Sequence, residues 1–306
     1  MTTEAKRSPT IIVRDALKDS VEKETGGAVT VLYDEHDLPS YMLVIPRFDA
    51  DEIDSSLGPG THPAFVVNGE EKSELFIGQV PACLMDGIAC SLPNEEYRYY
   101  INHADARAAC AAKGKGWHLT TAWEWAALAF WIVKNKSKHF EKNYWEWLDG
   151  LKLVDGKLFF PNDNAVEMPE SEWPFQGACF DDEEEEPVLS AEVSHFTEDN
   201  PKGADDDRDD GYTYIENLAS IKRSDSYETL DPAARERLAR IMIDPVARSV
   251  YARASGGLFV RNYGERFPFR GGSWSNGATA GLGALSLSSR RSLVGYSIGL
   301  RPAFIL

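Results

Sequence analysis

Cysteine and histidine have the widest chemical use among the residue types of this sequence, because thiolate and imidazole groups bind zinc and a Cys–His pair can act as a nucleophile. The candidates are Cys83, Cys90, Cys110, Cys179, His62, His103, His118, His139 and His195. No two of them have the close CxxC or HxxxH spacing that zinc sites favour, and no local motif marks a Cys–His pair. We therefore expect core or incidental roles for these residues and no zinc site.

Ser273, in the sequence RGGSW, is a further candidate for a nucleophile. It lacks the GxSxG pattern of a nucleophile elbow, and no histidine follows His195, so a Ser–His–Asp triad would need a distant histidine. The glycines of the same region have no GxxxxGK pattern, which excludes a phosphate-binding loop. The sequence therefore predicts no catalytic residue.

Two acidic runs, DDEEEE (181–186) and DDDRDD (205–210), could supply oxygen ligands to calcium. Neither run has the alternating ligand spacing and central glycine of a dedicated calcium loop. We expect a solvated, mobile face at these runs and no cofactor, with a structural calcium ion as the alternative.

The charge balance limits the class of partner. The 306 residues include 32 Lys and Arg against 49 Asp and Glu, which gives a net charge of −17. This balance argues against binding to duplex nucleic acid or to anionic lipid, since both need a basic surface. Neither a bilayer-spanning apolar run nor the apolar core of a secretory signal is present, so we expect no membrane insertion and no Sec export.

The local pattern predicts short helices and strands separated by turn residues. The predicted helices are 11–20, 104–113 ending at Gly114, a helix capped by Thr121 and Glu124 that runs to about Lys134, and one from Asp231-Pro232 to about Ile243. The predicted strands are 29–33, 41–45, 64–67, 75–80, 145–147 and 303–306, with turns at Asn68-Gly69 and Asp86-Gly87.

Spacing also predicts how the tryptophans are buried. Trp123 and Trp125 point to different sides of a helix, so both sides should be covered. Trp145 and Trp147 share one face of a strand, which indicates a buried strand.

The amino-acid composition of 275–297 differs from that of the preceding chain, since small and hydroxyl-bearing residues are frequent and large apolar residues are few. This segment lies between FRGGSW (269–274) and IGLRPA (298–303), which read as structural. A polar, adaptable surface on a rigid support is typical of binding paratopes. The alternative is an irregular Gly/Ser-rich loop with no partner.

Four sequence pieces occur in an order that carries a family resemblance: GKGWHLTTAWEWAALAFW (114–131), NYWEWLDGL (143–151), FRGGSW and IGLRPA. Together they resemble the C-type lectin fold as built in formylglycine-generating-enzyme-like proteins. They resemble more closely the variable proteins of diversity-generating retroelements of phages and archaeal viruses. The pieces HPAFVVNG (62–69) and ELFIGQV (74–80) are similar to the opening of those proteins. The resemblance covers 62–150 and 269–306.

The resemblance implies an α+β protein of the C-type lectin fold, with two helices packed on short antiparallel sheets and long inserted loops. It implies an N-terminal extension (1–60) and a ligand-binding domain (61–306). That domain would contain an insertion (about 161–263) and a C-terminal variable region (about 270–301).

In the family, a reverse transcriptase copies a template repeat and misreads its adenines. The resulting copy then replaces the 3′ end of the gene. Asn codons of the template can then encode many residues but never Lys, Glu, Gln, Met or Trp, and none of these five occurs in 275–297.

The resemblance also implies residue roles. The variable, ligand-binding positions would be Ser275, Asn276, Thr279, Ser286, Ser288, Ser289, Leu293, Gly295, Tyr296 and Ser297, with Leu282, Gly283, Arg290 and Val294 as further candidates. The structural frame would be Trp123, Trp145, Trp147, Arg270, Gly271, Gly272, Trp274 and Arg301, with Leu300 where the family usually has Phe. We expect the tryptophans of the frame to be core anchors and its two arginines to pair with buried carbonyls or carboxylates. Tyr296 would be the principal contact with a partner.

The implied function is binding of a protein or other surface ligand on a host cell, without enzymatic activity. The implied location is a virion tail or fibre, or the host cytoplasm during assembly, and a small homo-oligomer is compatible with that role. Three alternatives stay open. The first is a purely structural tail protein. The second is a calcium-dependent lectin, although the EPN, QPD and WND motifs are missing, and the third is a formylglycine-generating-type oxidase, although no cysteine follows Cys179.

Overall fold

The computed structural model describes residues 9–141, 144–193 and 212–305. Within these ranges the helices are α1 (Pro9–Thr25), α2 (Ala50–Ile53), α3 (His103–Ala111), α4 (Ala122–Asn135), α5 (Pro232–Arg240) and α6 (Arg248–Ala254). The first ten strands are β1 (Val29–Tyr33), β2 (Pro39–Pro46), β3 (Val66–Val67), β4 (Glu70–Glu71), β5 (Glu74–Gly78), β6 (Cys83–Met85), β7 (Ile88–Cys90), β8 (Trp117–Leu119), β9 (Trp145–Trp147) and β10 (Lys152–Val154). The others are β11 (Lys157–Phe159), β12 (Phe175–Glu183), β13 (Glu186–Ser190), β14 (Tyr212–Ile215), β15 (Lys222–Arg223), β16 (Leu258–Arg261), β17 (Glu265–Gly271), β18 (Gly281–Ser289), β19 (Ile298–Gly299) and β20 (Pro302–Phe304). The predicted α+β class is confirmed.

A five-stranded antiparallel sheet with the order β1-β2-β5-β20-β8 joins the two ends of the described chain. Strand β2 pairs with β5 along five residues, and Val29, Leu43 and Ile45 are buried in the main core. The boundary predicted at residue 60 is therefore not a structural boundary, because strands from both sides of it share one sheet and one core.

A larger sheet has the order β14-β16-β18-β17-β10-β11-β12-β13-β15, and outside this order β9 pairs with β17 and β19 pairs with β9. Most neighbours are antiparallel, but β16–β18, β13–β15 and β19–β9 are parallel. The predicted insertion (161–263) supplies five strands of this sheet and two helices. The expectation of a long inserted loop is wrong for its described part, since those strands complete the sheet.

Helix α4 lies at the centre of the core. Its N-terminus has the predicted capping box, in which the Thr121 side chain accepts from the Glu124 N–H and the Glu124 carboxylate accepts from the Thr121 N–H. Positions 122–130 are all buried. The indoles of Trp123 and Trp125 donate to the Pro161 and Leu282 carbonyls at 3.0 and 2.8 Å, which confirms that both sides of the helix are covered.

The acidic run 181–186 differs from its prediction. Asp181 is buried and lies in β12, and the run forms the end of the β12–β13 hairpin. Glu184 and Glu185 adopt left-handed backbone conformations at the turn. The expected mobile face is therefore an ordered hairpin, because both flanking strands pair within the larger sheet. The second run (205–210) and His195 lie outside the described residues.

Trp147→Ala should destabilise the fold by about 3–5 kcal/mol, since truncation of a buried aromatic leaves a cavity. Trp147 is fully buried, packs edge-on against Phe269 and donates to the Ile101 carbonyl at 2.9 Å. Urea unfolding followed by circular dichroism measures the effect. The control is Trp274→Ala, which should change the free energy of unfolding by only about 0.5 kcal/mol because that side chain is 79% exposed. Equal losses in the two variants would contradict the burial assignment.

His62 should make the fold acid-sensitive. Its ring is buried among Phe48, Trp123 and Phe130, its Nε2 donates to the Arg240 carbonyl at 2.9 Å, and burial lowers its pKa to about 3. The unfolded chain binds a proton near pH 6.5, so this stability is present above that pH and is lost as the pH falls towards 3. Urea titrations between pH 7 and 4 should show a smaller loss for His62→Gln than for the wild type. Equal pH dependence in the two proteins would contradict the prediction.

Candidate functional site

Arg301 forms a fully buried ion pair with Glu146. Its Nε and Nη2 donate to the two carboxylate oxygens of Glu146, each at 2.6 Å. The same guanidinium donates to the Gly78 and Glu141 carbonyls, and it lies over the Phe140 ring at 4.3 Å. A bidentate, fully buried pair of this kind fixes β9 against β5 and against the residues before β20.

Arg270 is the second buried arginine of the frame. It donates through Nη1 to the Gly283 carbonyl in β18, and through Nη2 to the Ile241 and Met242 carbonyls at the end of α5. Desolvation lowers its pKa to about 10. The expectation that both frame arginines pair with buried carbonyls or carboxylates is confirmed.

The turn after β17 decides the position of Trp274. Gly271 and Gly272 have φ angles of 99° and 74°, and a Cβ on Gly272 would lie 2.7 Å from the Ala280 Cα. Ser273 is buried and caps the following 3₁₀ turn together with Asn276. The expected core role of Trp274 is wrong, because this turn carries the indole out of the sheet and leaves it 79% exposed.

Ser286 also differs from its prediction, since it is 2% exposed. Strand β18 lies between β16 and β17, where Ser286 is directly opposite Phe259 on one side and Phe269 on the other. The two aromatic side chains cover it, and its Oγ contacts the Ser288 Oγ at 3.0 Å. Ser288 and Ser289, closer to the end of the strand, are half-buried.

The segment 290–297, here called the C-terminal loop, has a fixed backbone and exposed side chains. The Arg291 carbonyl accepts from the His103 N–H at 3.0 Å, the Gly295 carbonyl from the Tyr100 N–H at 3.1 Å, and the Ser297 carbonyl from the Trp145 N–H at 2.9 Å.

Between these three anchor points the side chains of Leu293, Val294 and Tyr296 are 39, 49 and 66% exposed. Such side chains can change with little cost to the fold.

Arg291 strengthens the start of the C-terminal loop. Its guanidinium pairs with Glu170 and Glu265, both at 2.7 Å, and lies over the Phe267 ring at 4.4 Å. The arginine therefore holds the loop against β17 and against the 3₁₀ turn Glu170–Glu172.

The predicted variable residues fall into three groups. Ser275, Leu293 and Tyr296 are exposed, and so are the further candidates Arg290 and Val294. The half-buried positions are Asn276, Thr279, Ser288, Ser289, Gly295 and Ser297. Ser286, Leu282 and Gly283 are buried.

Exposed aromatic residues outside the predicted variable region are features that the sequence analysis missed. Tyr100 is 53% exposed and its ring lies 6.4 Å from that of Tyr296. Tyr212 and Tyr214 are 39 and 51% exposed, and the Tyr214 ring lies parallel to Phe259 at 6.1 Å. The alternation of YTY at 212–214 is the signal that places both tyrosines on one face of a strand.

The four cysteines are free and buried, as expected for core residues. Burial raises the pKa of the Cys83 and Cys179 thiols to about 11, so neither is a ready nucleophile. His118 Nε2 contacts the buried Glu124 carboxylate at 2.8 Å, and this partner raises the histidine's pKa against the opposing effect of burial. Among the described residues, no three His, Cys, Asp or Glu side chains form a group that could hold a metal ion.

No protein-family model matches the sequence, and no curated protein matches it either. Within the described ranges, none of the helices is both long and apolar enough to span a bilayer.

Glu146→Gln should cost about 3–5 kcal/mol of unfolding free energy, because it leaves the Arg301 charge buried with no carboxylate partner. Urea unfolding at pH 7 measures this loss. Glu141→Gln is the matched control, since its exposed carboxylate faces Tyr97 and only its main-chain carbonyl contacts Arg301. The ion pair is unimportant to the fold if both variants unfold at the wild-type urea concentration.

Proposed function

We propose that the chain is the variable, ligand-binding protein of a diversity-generating retroelement, built on a C-type lectin scaffold. In this proposal it attaches a virus to its host from a virion tail or fibre, and it acts by binding rather than by catalysis. Its partner is a protein or another ligand on the host surface.

The observation that carries the proposal is the separation of main chain and side chains in the C-terminal loop. Its main chain is hydrogen-bonded to residues 100, 103 and 145, outside the predicted variable region. Leu293 and Tyr296 project into solvent between those bonds. A protein whose ligand contacts are repeatedly rewritten needs this arrangement, because each new side chain must leave the backbone in place.

The fold is compatible with the lectin part of the proposal. Strand β20 pairs with both β5 and β8, so the segments that resemble the beginning and end of the family share one sheet. Helix α3 follows the segments that resemble the opening of the family, and α4 begins within the first of the four pieces, 114–131. The buried Ser286 and the exposed Trp274 require one revision: the ligand face consists of the C-terminal loop, the end of β18 and the turn around Trp274.

The proposal predicts that the exposed loop positions accept most residues. A library with randomised codons at 293, 294 and 296, displayed and selected for protease resistance, should retain most side chains at each position. A matched library at Ile298 and Leu300, which are 5 and 0% exposed, should retain only apolar residues. Equal restriction in the two libraries would contradict the assignment of the loop as a tolerant surface.

The retroelement itself is tested in the neighbouring DNA. We expect a near-copy of the 3′ region of the gene that differs from it only at template adenines, beside a gene for a reverse transcriptase. A neighbourhood with neither feature would contradict current diversification and would favour a structural tail protein of constant sequence.

A further inference from the structure

Five tyrosines form a continuous row of rings that reaches the C-terminal loop. The order along the row is Tyr97, Tyr144, Tyr99, Tyr100 and Tyr296, and neighbouring ring centres are 6.5, 5.8, 5.8 and 6.4 Å apart. The first four lie outside the predicted variable region, whereas the last is a predicted variable position. This row, here called the tyrosine ridge, extends the proposed ligand face onto residues that diversification leaves unchanged.

Tyr100 has a backbone conformation that is unfavourable for its residue type. Its φ angle is 58°, in the left-handed region that bulky residues rarely adopt. The Tyr100 N–H donates to the Gly295 carbonyl at 3.1 Å, which holds this conformation. The side chain is 53% exposed, so burial of the ring offsets little of the cost. Strained residues of this kind cluster at ligand sites, and the strain therefore points to a role for the exposed phenol.

A groove of about 330 Å³ opens along the tyrosine ridge. Its rings are inclined to one another, by 30° between Tyr144 and Tyr99 and by 48° between Tyr99 and Tyr100. Inclined rings leave notches between them, and such notches suit narrow apolar groups better than the flat face of a sugar ring. The residues that line the groove are Leu84, Glu96, Tyr97, Arg98, Tyr99 and Tyr100.

The polar groups of the groove are rich in hydrogen-bond donors. The Arg98 guanidinium, which contacts the Tyr100 carbonyl at 3.5 Å, can donate but cannot accept, and each phenol carries one O–H. A proline-rich segment matches these donors, because proline lacks an N–H and the carbonyls of a polyproline II helix have no partner within the helix. A sugar hydroxyl would bring a donor with every acceptor. Aromatic grooves are a recurring site for polyproline II ligands.

Carboxylates at the groove determine the charge of the matching ligand. The carboxylates of Glu96 and Glu141 each accept a hydrogen bond from a tyrosine of the ridge, at 3.5 and 2.9 Å. Glu95, which precedes the groove residues in the chain, is exposed. These three carboxylates outnumber the Arg98 guanidinium, and the whole chain has a net charge of −17. A ligand with basic residues beside its prolines is therefore complementary in charge.

We propose that the tyrosine ridge binds a basic, proline-rich segment of a partner protein in the polyproline II conformation. The rings of Tyr97, Tyr99 and Tyr100 take the prolines between them. Arg98 donates to the carbonyls of the segment, and Glu96 pairs with its lysine or arginine. This inference rests on the proposed function, because the ridge ends at the predicted variable position 296. It narrows the partner from any surface ligand to a protein with an extended, proline-rich segment.

Isothermal titration calorimetry of the full chain tests the inference with a peptide of eight prolines that has one arginine at each end. The first matched peptide replaces the prolines by four Gly-Ser repeats and keeps both arginines. We expect the proline peptide to bind about tenfold tighter or more, because its conformation is already ordered. The second matched peptide keeps the prolines and replaces both arginines by glutamine. It should bind severalfold more weakly, and added salt should weaken the arginine peptide towards that value.

Variants locate the bound peptide. Tyr99→Ala and Tyr100→Gly should each weaken binding of the proline peptide about tenfold. Tyr100→Gly should also leave the melting temperature close to the wild-type value, because glycine adopts a φ of 58° without strain. Tyr296→Ala should have a smaller effect, since this ring lies at the end of the row. Tyr214→Ala is the matched control, because that tyrosine is 51% exposed outside the groove and its loss should leave the affinity unchanged.

Four results would overturn the inference. Two concern the peptides: no binding of the proline peptide, or equal affinities for the proline and Gly-Ser peptides. The third is wild-type affinity in the Tyr100→Gly variant. The fourth is binding of cellohexaose as tightly as the proline peptide, which would make the ridge a glycan platform. The library and DNA tests of the proposed function involve neither peptide nor glycan, so failure of the tyrosine ridge and failure of the diversified surface are distinguishable.

Discussion

The buried ion pair between Arg301 and Glu146 is the interaction on which the proposed ligand face depends. One guanidinium connects β9, the end of β5, the main chain at Glu141 and the start of β20. Burying a charge is costly, and this site offsets the cost with four short hydrogen bonds and one aromatic contact. The pair also favours one register of β9, since a shift by one residue would turn Glu146 away from the arginine.

The position of β9 then fixes the elements that carry the proposed ligand face. Trp145 and Trp147 pack against Phe269 of β17, and β17 pairs with β18. The Trp145 N–H in turn holds the C-terminal loop at Ser297. The loop main chain is therefore held by partners outside the predicted variable region, and the exposed side chains of Leu293, Val294 and Tyr296 project into solvent.

Local features of the fold were predictable from the sequence. Strand Val29–Tyr33 has the predicted bounds, and the Thr121–Glu124 capping box lies where the pattern placed it, because short-range propensity and capping determine both. The burial of the strand Trp145–Trp147 was also predictable, because alternate residues of a strand share one face and this places both tryptophans on the same side. The start of α5 at Pro232, capped by Asp231, follows from the same type of local signal.

The errors concern residues whose environment depends on distant strands. Ser286 looks like a surface residue by type, and only the pairing of β18 with strands carrying Phe259 and Phe269 buries it. Trp274 looks like a core residue by type, and the positive φ angles of two preceding glycines expose it. The strands of the insertion join the larger sheet because β12 pairs with β11 and β16 pairs with β18, and a segment read alone carries no record of those partners.

Strand β20 lies inside the five-stranded sheet, between β5 and β8, and it follows the proposed variable region in the chain. A truncation or frameshift upstream of residue 301 would therefore remove an interior strand together with Arg301. Such a chain could not complete its sheet, and its unpaired strand edges would make it prone to aggregation and proteolysis. Under the proposed function, this topology would restrict folded products to those in which residues are exchanged in frame.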